Sequence, residues 1–196
     1  MVKTSGLVLI CLVSTLTADA QVQVTIGGPV LGFIEDGAGA SIWPLLGVSG
    51  ASVVGQNLEL SAGIHSATIS PKHDYAIALR DEDGQPVIVG LDGGAGTLAP
   101  LAGARRNPDL IGISPTGRAA ALYAHESRIL QLVTGLPDTG RTTYEFDASG
   151  PSGMVGRLTA MAVSDDGRLA LLILAEGESA ALWVVDAGGG DRKSVV

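Results

Sequence analysis

The sequence predicts an all-β fold, because one hairpin pattern occurs three times along the 196-residue chain. Residues 69–79, 113–122 and 161–172 each read as an apolar strand, a tight turn led by serine, and a second apolar strand. Glycine is abundant, at 28 residues, and no segment of useful length has the apolar period of a helix. These observations favour antiparallel strands joined by short turns.

The spacing of the three copies predicts a β-propeller. The leading serines lie 44 and 50 residues apart, and a four-stranded blade takes about 40–50 residues. Further apolar strands follow each hairpin. We therefore expect about three and a half four-stranded antiparallel blades, with the ring incomplete because closed propellers carry about 4 to 8 blades. The serines are Ser70, Ser114 and Ser164.

Turn-rich connections divide the chain into six segments. We expect a signal peptide, an outer half-blade with its connection, two blades, a partial blade and a tail of non-native sequence. The second of the two blades includes a long connection. In order, these are residues 1–20, 21–60, 61–103, 104–156, 157–190 and 191–196.

The first 20 residues are typical of a signal peptide. Lys3 supplies the positive charge, residues 6–16 form a short apolar run, and a small-x-small cleavage pattern ends at Ala20. We therefore expect export to the periplasm or the extracellular space, with no membrane span because about 20 apolar residues are needed for one. The only cysteine, Cys11, would be removed, so the exported chain would contain neither disulfides nor thiolate metal sites.

Residues 21–60 lack the serine-led turn. Residues 22–26 alternate like a strand, and residues 30–34 and 41–46 read as a hairpin around a glycine-rich turn. This hairpin resembles the later half of the complete repeats. The sequence thus predicts an outer half-blade whose inner strands come from elsewhere.

The last six residues break the apolar strand pattern. A common sequencing-adapter string, GAT CGG AAG AGC GTC GTG, encodes the same residues, 191–196. We expect that the natural protein continues past about Gly190, the alternative being a genuine short charged terminus. An open wedge of blades exposes apolar faces and strand edges, so we also expect the fragment to self-associate.

Composition excludes several partners. The 20 acidic residues outnumber 12 basic ones, for a net charge of −8, which argues against binding nucleic acid or an anionic membrane through bulk electrostatics. Aromatic residues make up only 4%, which argues against an aromatic carbohydrate platform. The sequence indicates no cofactor and no metal.

Candidate site residues are few. Two of the three histidines, His65 and His73, are expected on opposite faces of the disc, because they lie at opposite ends of one strand. The third, His125, shares its expected side with several carboxylates. Clustered carboxylates could bind calcium or a cationic partner, but solvated hairpin turns explain the same charges and the spacing matches no calcium loop. The candidate ligand-binding residues of this acidic face are Asp81, Glu82, Asp83, His125, Glu126, Glu176 and Glu178.

The motif serines and glycines are expected to be structural. Each serine leads a repeated turn without a Gly-x-Ser-x-Gly pattern, and a catalytic residue would not occur in triplicate. The glycine-rich stretches 92–96 and 188–190 are not followed by helices, so neither is a phosphate cradle. The turn residues are Ser70, Ser114, Gly117, Ser164 and Gly167.

Over about residues 60–190 the three copies resemble the Ser-Pro-Asp-Gly type of β-propeller repeat. Such repeats occur in the propeller of the Tol transport system, in lactonase-like propellers and in many exported bacterial proteins. The resemblance implies a WD40-like blade architecture and does not identify a function. The sequence departs from the pattern at residues 72–74, where glycine is missing, and we expect that turn to be looser.

Elimination and resemblance favour a binding or protein-interaction platform. Its partner would be an unknown protein or small molecule, held by loops at one face or in the central channel. The alternative is a lactonase-like hydrolase whose site is completed by missing blades. Fold alone does not decide between these functions, although the sequence favours the non-enzymatic one.

Overall fold

The structure is a computed structural model. It describes residues 28–36, 41–58, 60, 62–91, 96–148, 156–188 and 192–195. The predicted signal peptide and the predicted strand at residues 22–26 lie outside these ranges. Within them the fold is all-β, and no helix is long and apolar enough to cross a membrane. This confirms the predicted fold class.

The described strands form four antiparallel sheets, in each of which consecutive strands are neighbours. Sheet 1 has three strands: β1 (Val30–Glu35), β2 (Ile42–Val48) and β3 (Ala51–Val54). Sheet 2 contains β4 (Ile64–Ile69), β5 (Tyr75–Arg80), β6 (Pro86–Gly90) and β7 (Thr97–Pro100). Sheet 3 contains β8 (Leu110–Ile113), β9 (Ala119–Ala124), β10 (Ile129–Thr134) and β11 (Arg141–Asp147). Sheet 4 contains β12 (Arg157–Val163), β13 (Leu169–Glu176), β14 (Ser179–Asp186) and β15 (Arg192–Val195).

The sheets follow one another as propeller blades do. The first strands contact one another in chain order: β1 contacts β4, β4 contacts β8, and β8 contacts β12. Each sheet therefore presents its first strand toward a common side, and neighbouring sheets pack face to face.

Apolar side chains fill each space between sheets. Successive residues of a strand point to opposite faces, and β9 uses both. Ala119, Ala121 and Tyr123 pack in the core between sheets 3 and 4, whereas Ala120 and Leu122 pack between sheets 2 and 3. Small alanines in the second strand allow close approach on both sides, which explains the alanine-rich repeats.

The three serine-led turns share one hydrogen-bond pattern. In each, the serine N–H donates to the first residue of the next strand at 2.9 Å, and the residue three positions after the serine donates to the serine carbonyl at 2.9 Å. That third residue has a left-handed backbone in all three turns. Its φ is 58° at His73, 72° at Gly117 and 66° at Gly167.

The expectation of a looser turn at residues 72–74 is wrong. His73 adopts the conformation of the missing glycine and keeps both backbone hydrogen bonds. Its imidazole Nδ1 also accepts a hydrogen bond from the Phe33 N–H of β1, at 3.2 Å. This contact with sheet 1 helps to offset the cost of a left-handed non-glycine residue.

Sheet 1 differs from the predicted outer half-blade. Among the described residues it has three strands, and β1 lies beside β4 in the position that first strands occupy elsewhere. Phe33 and Ile42 are buried in the core between sheets 1 and 2. The serine-led turn was the only sequence marker of a first strand, so a first strand without that turn was assigned to the wrong part of a blade.

Sheet 4 has a fourth strand that the sequence did not predict. Residues 157–190 were expected to form a partial blade, but Arg192–Val195 pairs antiparallel with β14, from Leu182 to Val185. Backbone pairing at a sheet edge requires no apolar alternation, so the charged tail sequence does not prevent it.

The outward face of sheet 4 lacks a covering sheet in the described part of the chain. Leu169, Leu171 and Ile173 are 40–44% exposed. In sheets 2 and 3, residues at the same distances after the motif serine face the next sheet and are at most 4% exposed. The four sheets thus form an open segment of a propeller. The covered equivalents are Tyr75, Ile77, Leu79, Ala119, Ala121 and Tyr123.

Candidate functional site

The sheets create two faces that carry different connections. One, which we call the serine face, carries the turns β4–β5, β8–β9 and β12–β13, where the motif serines lie. The other, which we call the opposite face, carries the turns β5–β6, β9–β10 and β13–β14 and the connection β7–β8. Strand directions alternate, so every sheet contributes to both faces.

All the predicted acidic-face residues lie at the opposite face. Three belong to the β5–β6 turn, two to the β9–β10 turn, and two flank Gly177 in the β13–β14 turn. They are spread over three successive sheets and do not form one cluster. Their role as ligand-binding residues stays a prediction. In chain order they are Asp81, Glu82, Asp83, His125, Glu126, Glu176 and Glu178.

The Asp83 carboxylate pairs with two arginines. Its carboxylate accepts hydrogen bonds from Arg80 Nε at 2.9 Å and Nη2 at 2.7 Å, and Arg106 Nη2 lies 3.5 Å away. The hydrogen bonds from Arg80 are the main cause that lowers the pKa of Asp83 to about 2. This carboxylate therefore fixes the β5–β6 turn and the following connection.

The histidines are separated as the sequence suggested. His73 lies at the serine face, while His65 lies at the opposite face with its Nδ1 3.0 Å from Asp81 Oδ1. In the described ranges no group of three or more His, Cys, Asp or Glu side chains is close enough to hold a metal ion.

An open groove of about 470 Å³ lies between sheets 3 and 4 at the opposite face. Sheet 3 contributes residues before β8 and around the end of β9, and sheet 4 contributes the beginning of β12. The volume falls within the roughly 300–1,000 Å³ of small-molecule sites. The lining residues are Asp109, Tyr123, His125, Arg128, Gly156 and Arg157.

Backbone conformation places the two arginines at the groove. Gly156 has a φ of 103°, and a Cβ there would lie 2.6 Å from the Ala175 carbonyl oxygen, so only glycine fits without a shift. It leads directly into Arg157, the first residue of β12. Arg128 has a φ of 53° at the end of the β9–β10 turn, and its carbonyl accepts a hydrogen bond from Ala148 N at 2.8 Å.

His125 connects the walls of the groove. Its ring meets the Tyr123 ring edge to face, with centroids 5.2 Å apart and planes at 89°. Its backbone N–H donates to Asp109 Oδ2 at 2.5 Å, and Arg157 Nε donates to its Nε2 at 3.5 Å.

Of the groove residues, the sequence singled out only His125. One positional signal was available, because Asp109 and His125 lie five residues before and eleven after Ser114. His65 and Asp81 lie at the same offsets from Ser70, with acid and imidazole exchanged. Aligning the repeats on their motif serines would therefore have placed these acid and histidine residues at equivalent strand ends. The other residues missed were Tyr123, Arg128, Gly156 and Arg157.

No protein-family model matches the chain, and no curated protein matches it in sequence. Solved structures do match. The β-propeller domain of Cps50 (Swd1) from Myceliophteria thermophila has 12% identity and a TM-score of 0.52, over 86% of this chain and 59% of that one. Citrobacter koseri AztD has 14% identity and a TM-score of 0.52, over 79% and 41%. A putative 6-phosphogluconolactonase from Bacteroides uniformis has 11% identity and a TM-score of 0.50, over 85% and 53%.

At these identities the likeness concerns fold alone. The neighbours include a propeller domain and a putative 6-phosphogluconolactonase, and a shared fold does not distinguish binding from catalysis. The chain spans about half the length of the structures it matches. These comparisons and the sheet order identify the described residues as a segment of a β-propeller.

Proposed function

We propose that this chain belongs to an exported β-propeller that serves as a binding or protein-interaction platform, with its ligand held at the opposite face. The observation that supports this proposal is the groove between sheets 3 and 4. There, polar side chains from two sheets border one open space of small-molecule size.

A comparison of the two faces also supports the groove as the binding site. At the serine face, motif side chains bond within and between the turns. Ser164 Oγ donates to Asp166 at 2.6 Å, and Asp165 accepts hydrogen bonds from Thr116 N at 2.8 Å and Oγ1 at 2.6 Å. Those hydrogen bonds stabilise the fold. The groove residues, by comparison, border open space.

A screen that follows binding and chemistry together tests this proposal. The full chain would be incubated with a library of small organic anions, cations, neutral sugars and lactones, and each compound would be followed by ligand-observed NMR. We expect some compounds to bind without being consumed, and binding to weaken in the groove variant His125→Ala but not in the serine-face variant Thr116→Ala. Binding that is lost only in the serine-face variant would overturn the proposal.

The alternative is a lactonase-like hydrolase. One observation favours it: the imidazole of His125 lies in the open groove, and histidine is the commonest general base in enzymes. Conversion of a lactone in the same screen, abolished by His125→Ala, would replace the binding proposal with this one.

We further propose that the complete ring holds more than four sheets. The exposed residues Leu169, Leu171 and Ile173 support this proposal, because their equivalents in sheets 2 and 3 are covered by a following sheet. Reading the source gene across the codons for residues 188–196 tests whether one chain supplies further sheets. A natural stop codon after Val196 would leave a second copy of the chain as the source of the covering sheet.

Export is proposed on the signal-peptide pattern of residues 1–20. Bacterial expression of the full chain, fractionation and intact-mass measurement test it. We expect a periplasmic or secreted product beginning at Gln21. A cytoplasmic product that retains residues 1–20 would contradict the proposal.

A further inference from the structure

We infer that two copies of this chain associate head to tail and close one ring, with sheet 4 of each copy packed against sheet 1 of the other. The partner that covers the open ends of the segment is thus a second copy of the same chain. This inference rests on the proposal that the complete ring holds more than four sheets, and it names the source of the additional ones.

The outward face of sheet 4 carries an apolar row that spans two strands. Leu172 packs in the core with sheet 3, so its neighbours Leu171 and Ile173 point away from sheet 3, because successive residues of a strand alternate between faces. Their antiparallel partners in β14, Val184 and Leu182, lie on that outward face too. Leu171 and Ile173 are 43% and 40% exposed, so this row is open in the described part of the chain.

Sheet 1 has a second apolar row, on the side that faces away from sheet 2. Ile42 packs in the core with sheet 2, so Trp43 and its antiparallel partner Ile34 point the other way. Leu45 and its partner Val54 follow on the same side. We call these four side chains the free face of sheet 1. Ile34 and Val54 are 42% and 53% exposed, so this face is open among the described residues.

The two open faces are the two halves of a contact that the chain already repeats. Tyr75 and Ile77 of β5 pack with Leu122 of β9 in the core between sheets 2 and 3. In sheet 4, Leu169 and Leu171 lie at the same distances after the motif serine as that β5 pair. A sheet 1 from another copy would therefore continue the stacking in the order in which sheets already follow one another.

Ring size selects two copies. Two chains of four sheets supply eight, which lies within the roughly 4 to 8 sheets of closed propellers, and a third copy would exceed that range. The chain spans about half the length of the solved structures that it matches, so a second copy would supply about the missing half. Two identical contacts related by a two-fold axis would leave no open end.

Net charge opposes this association at long range. Each copy carries a net charge of −8, so two copies repel one another until added salt screens the repulsion. The attraction comes from the apolar rows, whose burial does not depend on charge. We therefore expect the dimer to become tighter as salt is added.

Opposite charges placed on the two faces test the inference. Leu171→Glu puts a carboxylate on sheet 4, and Ile34→Lys puts an ammonium group on sheet 1. Both positions are exposed in the single chain, so the new charge stays solvated there, but a dimer of either variant would bury an unpaired charge in each contact. In a mixed dimer, one contact would join opposite charges and the other would carry no substitution. Ser179→Glu and Ser127→Lys are the controls, at exposed positions outside both faces.

Sedimentation equilibrium and native mass spectrometry of the full chain measure the outcome. We expect the parent and both controls to form dimers that do not grow further with concentration, and either face variant alone to dissociate at least about a hundredfold more readily. Mixing the two face variants should restore dimers that contain one copy of each. Circular dichroism of the separate variants checks that loss of the dimer is not loss of the fold.

Three results would overturn the inference: a parent chain that stays monomeric, association that continues beyond two copies, or face variants that fail to restore the dimer when mixed. If the source gene encodes further sheets and this chain stays monomeric, the two-copy inference fails and the larger ring stands. If the gene ends at Val196 and the chain stays monomeric, the larger ring fails as well. The ligand screen tests the platform separately, because it follows binding and not association.

Discussion

At the scale of single residues, Gly117 adopts a left-handed backbone conformation that is unfavourable for any residue with a side chain. Its φ is 72°, and a Cβ there would meet Tyr75 only at an ordinary 3.5 Å. Gly117→Ala therefore tests backbone strain without a steric clash. We expect the free energy of unfolding to fall by about 1 kcal/mol, as measured by urea denaturation, because an L-residue in the left-handed region costs about 1–2 kcal/mol.

Gly28→Ala is the matched control for this change. A Cβ at Gly28 would also meet its nearest atom at 3.5 Å, but that glycine is not in the left-handed region. We expect this variant to retain the parent stability or to gain slightly, because alanine reduces the conformational entropy of the unfolded chain. Equal destabilisation by both substitutions would contradict the strain argument.

Tyr75 connects sheets 2 and 3 through its hydroxyl group. The side chain is fully buried, and its O–H donates to the Gly117 carbonyl at 2.8 Å. Burial, helped by the nearby Asp74 carboxylate, raises the pKa of Tyr75, so the hydroxyl keeps its proton and remains a donor in alkaline solution. Tyr75→Phe removes the donor and leaves this carbonyl without that partner.

We expect Tyr75→Phe to lower the free energy of unfolding by about 1–2 kcal/mol in urea denaturation, the usual cost of losing a buried hydrogen bond. Tyr144→Phe is a control, since Tyr144 is only partly buried. An unchanged midpoint in Tyr75→Phe would mean that water or another donor replaces the lost hydroxyl.

Asp83 makes stability depend on pH. Hydrogen bonds from Arg80, more than any other cause, lower the pKa of Asp83 from 3.8 to about 2 in the folded chain. A carboxylate with a lowered folded pKa stabilises the fold above its unfolded pKa, and this contribution is lost as pH falls from about 4 to about 2.

Asp83→Asn should therefore destabilise the chain at pH 7 and flatten the decline in unfolding temperature between pH 4 and pH 2. Thermal melts monitored by circular dichroism across this range measure both effects. Glu178→Gln, at an exposed carboxylate of the β13–β14 turn, serves as the control. A variant as stable as the parent at pH 7, with an equally steep acid decline, would refute the assignment.

At the scale of strands and sheets, the sequence predicted the strands that flank the repeated serine-led turns. The motif serines at positions 70, 114 and 164 set the first two strands of sheets 2 to 4, because a tight turn between apolar runs has a local signature. Sheet 1 has no such turn, and its position depends on the packing of Phe33 and Ile42 against sheet 2. Packing over that distance leaves no local pattern in the sequence.

The same limit applies to β15 and to the groove. Strand β15 forms through backbone pairing with β14. The side-chain pattern of β15 does not indicate this pairing. Of the groove residues, His125 was recognised because histidine is rare in this chain, whereas Arg128 and Arg157 are 29 positions apart and line one groove only because sheets 3 and 4 pack together. Residue type alone does not reveal such convergence.

At the scale of the whole molecule, the open ends determine behaviour in solution. Besides the outward face of sheet 4, sheet 1 exposes apolar side chains of β1, β2 and β3. Apolar surface and unpaired strand edges of this kind favour association between chains. The exposed residues of sheet 1 are Val30, Leu31, Ile34, Val48, Val53 and Val54.

Leu171→Glu tests which surface drives association. Leu171 is 43% exposed at the centre of the outward face of sheet 4, so a carboxylate there remains solvated in the isolated chain but would be buried unpaired beneath a covering sheet. We expect the parent chain to sediment as larger species with rising concentration and Leu171→Glu to shift toward the monomer. Ser179→Glu adds the same charge at an exposed position outside that apolar row and should associate like the parent. If both variants dissociate equally, net charge and not the apolar face controls association; if neither does, the strand edges or sheet 1 must form the contact.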